Sequence, residues 1–325
     1  MRFYKIDLAK QDGSPLTPVS LGGMGLTSLL ANGQNNPAAL NIELDIPVAA
    51  LHSPQGNSLI RVWGLGLQDL TNSFELNDAT ISVYGGMSKG LPLANASQAQ
   101  LLVKGQVFQG FGNWVGTEQT VDMILMPPIG TNAAPLNIIL DWTAGMTLGA
   151  ALSSTLNTAF PTAKRIINLN PRLVLDHDEV GYYGTLTQMA SVLNPLSKSI
   201  ITDPGYPGVS ISYDGETVTV SDLYGPPVQT KAIAFEDLIG QPTWIGPFTI
   251  QVKTVMRGDI DLFDIVTLPQ TLIANTQSAL TRFRDKSIFS GNYVVQSIHH
   301  WGNFRQPDAA SWNTTFEMIP QPSAT

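Results

Sequence analysis

Three short clusters in this chain bring together side chains able to do chemistry. Gly86-Met87-Ser88-Lys89-Gly90 has the Gly-x-Ser-x-Gly frame of a hydrolase nucleophile elbow. That chemistry needs a strand, a sharp turn and a helix, so that the serine is exposed at the helix start. Here Leu91-Pro92-Leu93 follows, and a proline in that place continues a helix poorly. The expected structure is a glycine-rich strand connection. Asp176-His177-Asp178-Glu179 gathers acids and an imidazole, the groups that metal binding and proton transfer use. Four consecutive side chains point different ways, so a solvated acidic turn is expected. His299-His300 lies in a strand-like run, where the two imidazoles face opposite sides. Trp301, next to them, is expected to anchor a core, as is Trp114. Gly22-Gly23-Met24-Gly25 and Gly64-Leu65-Gly66 lack the spacing of a phosphate loop, and turns or strand bends account for them. The sequence therefore nominates no catalytic, cofactor-binding or metal-binding residue. A hydrolase alternative rests on Ser88 and on acids such as Asp176 and Asp178.

Composition narrows the classes. The chain has 325 residues, enough for two or three cores, and 43% of them are hydrophobic. Only 13% are charged, about half the usual share. Low charge suits a subunit that covers much of its surface with neighbours; a β-protein with neutral polar loops would show the same figure. The net charge is −8, with no Lys or Arg run, so the basic footprint of a nucleic-acid binder is missing. An acidic wall would still let nucleic acid slide past. There are no cysteines, which removes disulfides, thiolate metal sites and cysteine nucleophiles. Met1-Arg2-Phe3-Tyr4-Lys5-Ile6-Asp7 carries charges where a signal peptide needs an apolar stretch. No segment approaches the ~18 apolar residues of a membrane span. A soluble product made in a cytoplasm is expected.

The elements that would position these residues are mostly strands. Phe3–Leu8, Leu40–Ile46, Leu59–Leu67 and Ala79–Tyr84 alternate or run apolar between glycine-rich turns. Residues 129–200 differ. There Leu136–Leu140 reads as a strand, and Thr147 caps a helix whose Leu148, Ala151, Leu152, Thr155 and Ala159 share one stripe before Pro161. A second short helix is expected over Leu186–Leu193, stopped by Pro195. Strands return after 201, where Asp214-Gly215 between Val209–Tyr213 and Thr217–Val220 signals a hairpin. A helical piece is expected over Leu272–Arg284, in the place that Leu91–Leu101 holds earlier in the chain.

These strands contain a repetition. Ile60-Arg61-Val62, Leu65 and Asp69-Leu70 match Ile250-Gln251-Val252, Val255 and Asp259-Ile260 at the same spacing. Further on, Val107, Gln109, Phe111, Trp114 and Gln119 match Val294, Gln296, Ile298, Trp301 and Gln306. Val121, Met123, Leu125 and Pro127 then match Thr314, Phe316, Met318 and Pro320. Ordered repetition dictates architecture. The expected fold is mainly β with a small α+β insert: a first β-barrel tube-like domain at 1–128, a middle domain at 129–200, and a hairpin connection with a second tube-like barrel at 201–325. That second unit runs from about Ala232 to Pro320.

The chain also resembles bacteriophage baseplate hub proteins of the Mu-like family. The resemblance is carried by Arg61-Val62-Trp63-Gly64, Ile81–Met87, Gly90-Leu91-Pro92-Leu93, and Gly105 through Asn113-Trp114-Val115-Gly116-Thr117. Leu238-Ile239-Gly240-Gln241-Pro242, Gly291-Asn292-Tyr293-Val294-Val295 and His299-His300-Trp301-Gly302 extend it to the C-terminal part. Asn303 departs from the polar, often acidic residue usual after the last glycine. The resemblance implies a non-enzymatic homotrimer in the virion tail baseplate. Two tube-like domains per subunit would join a three-fold central spike to a six-fold tail tube. The implied partners are the spike, the tube or a tube initiator, and other baseplate proteins. DNA would only pass through the lumen, and no membrane would be bound. A secretion-spike relative shares the architecture, though such proteins usually carry the spike in the same chain.

Overall fold

A computed structural model describes residues 1–53, 57–88, 95–126, 137–203, 205–224, 230–246, 248–269, 289 and 291–321. The N-terminal part is built from β1 (Arg2–Ala9), β2 (Pro15–Leu16), β3 (Leu26–Thr27), β4 (Asn41–Ala49), β5 (Ser58–Trp63), α1 (Leu67–Thr71), β6 (Thr80–Met87), β7 (Gln100–Val115) and β8 (Glu118–Met126). Strict alternation sets their faces. Ile42, Leu44 and Ile46 of β4 are buried, while Glu43 and Asp45 between them point away. Strands β4, β5, β8, β7 and β6 lie side by side in that order, each antiparallel to the next, and β1 adds to β6. Residues from β1, β4, β5, β6, β7 and β8 share one apolar cluster. The two ends of this strand order therefore curl round a common core.

The C-terminal part repeats the plan. Its strands are β14 (Lys231–Ala232), β15 (Thr243–Trp244), β16 (Ile250–Val255), β17 (Ile265–Thr267), β18 (Asn292–Asn303) and β19 (Trp312–Pro320). The order β15, β16, β19, β18, β17 is again antiparallel throughout and surrounds its own core, with Val252, Val266, Val295, Phe316 and Met318. Chain order and spatial order agree strand for strand with β4 to β8. Both long hairpins carry a β-bulge at the same level, between Val107 and Gln109 in β7 and between Val295 and Ser297 in β18. The two sheets merge because β18 also pairs with β4, from Ser297↔Ala49 to Asn303↔Glu43.

The registers correct the sequence alignment of the copies. With the two bulges set level, Gly110 lies opposite Met123 and Ile298 opposite Phe316, so Met123 and Phe316 correspond, as expected. Ile60, however, corresponds to Val252 and not to Ile250, a slip of two that keeps the face. Val107 corresponds to Val295 and not to Val294, a slip of one, which exchanges faces. Trp114 thus lies level with Gly302, and Trp301 with Asn113. Trp114 is 61% exposed and Trp301 39%, so neither anchors a core. The second copy's core-side tryptophan is Trp312, whose Nε1 donates to the Gly86 carbonyl at 2.9 Å and which fills the first core.

Between the copies lie β9 (Ile138–Trp142), α2 (Leu148–Ala159), β10 (Lys164–Asn168), β11 (Glu179–Tyr183), α3 (Leu186–Ile200), β12 (Ser210–Tyr213) and β13 (Thr217–Ser221). They bury a third core with Trp142, Leu152, Met189 and Val220. The β12–β13 hairpin turns at Gly215, whose φ is +97° and whose Cβ position is filled by Lys104, so glycine is required there. Its β13 pairs with β10, so the hairpin packs with residues 138–201. Thr147 caps α2, and of the expected stripe Leu148, Ala151, Leu152 and Thr155 are buried while Ala159 is half-buried. Helix α3 does not stop at Pro195 but runs on to Ile200. Proline removes one N–H, yet tertiary bonds hold the next turn. Ser197 is buried, donates to Asn194 O at 2.8 Å and accepts from Val209 N at 2.8 Å. The helix expected over 272–284 lies outside the described residues, as do 91–94; Ala96–Gln98 forms a 3-10 turn before β7. Among the described residues no helix is long and apolar enough to cross a membrane.

Candidate functional surface

The merging of the two copies produces one polar wall. On the face of β8, β5, β4, β18, β19 and β16 turned away from the cores, side chains form rows across the strands. Asp122 lies opposite Arg61, Arg61 opposite Glu43, and Glu43 opposite Asn303. Arg61 holds Asp122 with two parallel bonds of 2.8 Å, a geometry that only a guanidinium offers a carboxylate. That hydrogen bond raises the Arg61 pKa. Arg61 also sits 3.7 Å from Glu43, and Asn303 Nδ2 donates to Glu43 at 2.9 Å. Asn113 of β7 donates to the same Asp122 at 3.2 Å. A second contact across the junction joins His299 Nε2 and Asp45 at 2.7 Å, and Ser297 donates to Glu317 at 2.9 Å within the second copy.

The chemistry of this wall is self-contained. Carboxylates Glu43, Asp45, Glu118, Asp122 and Glu317 outnumber cations Arg61 and Lys253 on these strands, and Arg61 is committed to its acids. A polyanion meeting it finds little to release counterions against.

A buried network locks the copies behind the wall. Arg257, 3% exposed, binds Asp259 with two bonds of 2.7 Å and Asp237 at 3.0 Å. Gln98 of the first copy donates to Asp237 at 2.8 Å. Thr314 Oγ1 accepts from Arg257 N and donates to Arg257 O, and it lies 2.9 Å from His300 Nδ1. Burial, and then the neighbouring His299, push the His300 pKa down to about 3. At the rim, the Arg2 guanidinium donates to the carbonyls of Asn303, Phe304, Gln306 and Asp308. Sequence reading missed this network. The Arg257–Asp259 pair was visible locally; Asp237 and Gln98 join it only through the fold.

The residues singled out by type do not converge. Ser88 is buried at the end of β6; its hydroxyl donates to the Met1 carbonyl at 3.1 Å and its N–H to the same oxygen. Lys89 and Gly90 lie outside the described residues. Gly86 is explained by packing, since a Cβ there would meet the Ala99 backbone at 2.5 Å. Asp176 and His177 pair at 2.7 Å in solvent, which lowers the Asp176 pKa and raises that of His177. Asp178 instead accepts from Ala144 N. His299 and His300 face opposite sides, one exposed and one buried. Among the described residues no three His, Asp or Glu side chains could share a metal ion. A cleft of about 390 Å³ opens where the three cores meet. On its wall Lys104 and Glu216 pair at 2.7 Å, a bond that raises the Lys104 pKa and fixes the middle unit to β7.

No protein-family profile matches the sequence, and no curated protein matches it either. Solved structures do resemble it. An Escherichia coli protein, c3393, described as a type VI secretion component structurally similar to phage T4 tail proteins gp27 and gp5, shares 8% identity over 88% of this chain and 76% of its own, with a TM-score of 0.50. A tail protein of Neisseria meningitidis shares 9% identity over 97% and 96%, with a TM-score of 0.48. A 43 kDa tail protein of prophage MuSo2 from Shewanella oneidensis shares 9% over 98% and 99%, with a TM-score of 0.49. At such identities the shared property is the fold, and the chain is a mainly β protein folded like this tail-related secretion component.

Proposed function

We propose that the chain is a structural subunit of a phage tail baseplate, or of a phage-derived device, and that it acts as a homotrimeric hub between a central spike and the tail tube. The observation that carries this reading is the doubled strand order β4-β5-β8-β7-β6 and β15-β16-β19-β18-β17 within one polypeptide. Head-to-tail contacts between identical subunits must close after a fixed number. Three copies would present six near-equivalent units, so a three-fold spike and a six-fold tube could both be matched. The acidic wall would line the bore and let DNA pass without binding. The role is mechanical and not enzymatic, since Ser88 spends its hydroxyl on a backbone carbonyl. The virion tail is the corresponding location, and spike, tube or tube-initiator subunits and other baseplate proteins are the corresponding partners. Light scattering and electron microscopy of the purified chain test this: a trimeric ring is expected, and a strict monomer that binds neither spike nor tube subunits would overturn it.

A further inference from the structure

The contact between copies inside the chain is a template for the contact between chains. Within one subunit, the β4 edge of the first unit pairs with the bulged strand β18 of the second, Trp301 opposite Asp45 and His299 opposite Pro47. By the registers above, the counterpart of β4 in the second unit is β15, with Thr243 in the place of Asp45. The counterpart of β18 in the first unit is β7, with Asn113 in the place of Trp301 and Phe111 in that of His299. Among the described residues both counterpart edges lack their strand partner. Among the described residues β15 pairs only with β16, and β7 beyond Gln109 pairs only with β8. On this part of β7 the Asn77 side chain accepts from Gly110 N, and Leu70, Ser73 and Leu76 pack against Gly110 and Gly112.

Both edges also expose large apolar side chains. Trp244, Ile245 and Phe248 are 42%, 47% and 74% exposed at one, and Phe108, Trp114 and Val115 are 54%, 61% and 74% exposed at the other. Open strand edges with such side chains invite pairing with another chain. Because the two edges differ and lie in different units, their pairing is head-to-tail and leads round a ring.

We propose that β15 of one subunit docks along β7 of a second copy of this chain, with Thr243 opposite Asn113, Trp244 opposite Gly112 and Ile245 opposite Phe111. This rests on the trimeric reading above and specifies its interface. The absence of cysteine makes the test clean. Asn113→Cys with Thr243→Cys, and separately Phe111→Cys with Ile245→Cys, are placed in one chain and oxidised. Both are expected to give covalent trimers in non-reducing gels. Each single cysteine, and a control pairing Asn113→Cys with Lys5→Cys, should stop at monomer or dimer. Trp244→Ser should abolish the trimer in light scattering while leaving the circular dichroism of the monomer intact. Wild-type trimers in which neither pair cross-links would overturn this interface and leave the hub reading standing. A monomeric wild type would overturn both.

Discussion

His300 should make the junction of the two copies sensitive to acid. Its imidazole is buried against Thr314 and its pKa is pushed from 6.5 down to about 3. The folded chain keeps it neutral, whereas the unfolded chain protonates it below its ordinary value. Stability is therefore fully present above 6.5 and falls as the pH drops from there towards about 3. Each pH unit in that window removes about 1.4 kcal/mol. At about pH 4.5 the loss approaches 3 kcal/mol, which for a chain of this length lowers the melting midpoint by about 4 °C. Replacing His300 with Gln keeps a polar group beside Thr314 but removes the titration. Melting midpoints of wild type and His300→Gln, measured from neutral pH to about 4.5, should converge as wild type loses its advantage. Subtracting the two curves cancels every other titrating group. Parallel curves would refute the reasoning, because they would mean that His300 is either solvated or already charged in the fold.

Other consequences follow from the same contacts. Arg61→Ala strands the buried Asp122 carboxylate with Asn113 as its remaining donor, so denaturant unfolding should show a loss of about 3 kcal/mol. Arg61→Ala with Asp122→Leu together should recover most of that. Arg257→Ala leaves Asp237 and Asp259 facing each other without their cation, and a loss of about 3–5 kcal/mol is expected by the same assay. Ser88→Ala removes a single hydrogen bond to Met1; it should shift stability by no more than about 1.5 kcal/mol and should change no ester, peptide or glycan hydrolysis. A robust hydrolytic activity lost in Ser88→Ala would establish the enzyme alternative.

Much of the architecture was legible in the residues, and the failures have physical causes. Alternation placed β1, β4 and β6, and Asp214-Gly215 placed a hairpin, because half-buried strands and tight turns constrain their own letters. The repetition was also legible, since each copy must rebuild the same buried face. Its fine register was not. Identical letters, Val107 with Val294 and Trp114 with Trp301, drew the copies one residue out of step. In a strand that exchanges inside for outside. The signal that corrects it is the pattern of burial around the two bulges: Val107 and Gly110 are buried in one copy, Val295 and Ile298 in the other. Pro195 misled because helix α3 is held from outside by Ser197 and Asn194. The polar wall stayed hidden for another reason. Asp122, Arg61, Glu43 and Asn303 come from four strands, and only sheet pairing brings them into one row.

The central claim is that one polypeptide supplies two equivalent arcs of a ring. The most direct measurement is a cryo-electron microscopy reconstruction of the purified chain, computed without imposed symmetry. Three subunits are expected round an open bore, with β4–β8 and β15–β19 alternating as six similar arcs and Glu43, Asp45 and Arg61 facing the opening. A ring of another subunit number, or one in which the two units sit at different radii with that face turned outward, would contradict it.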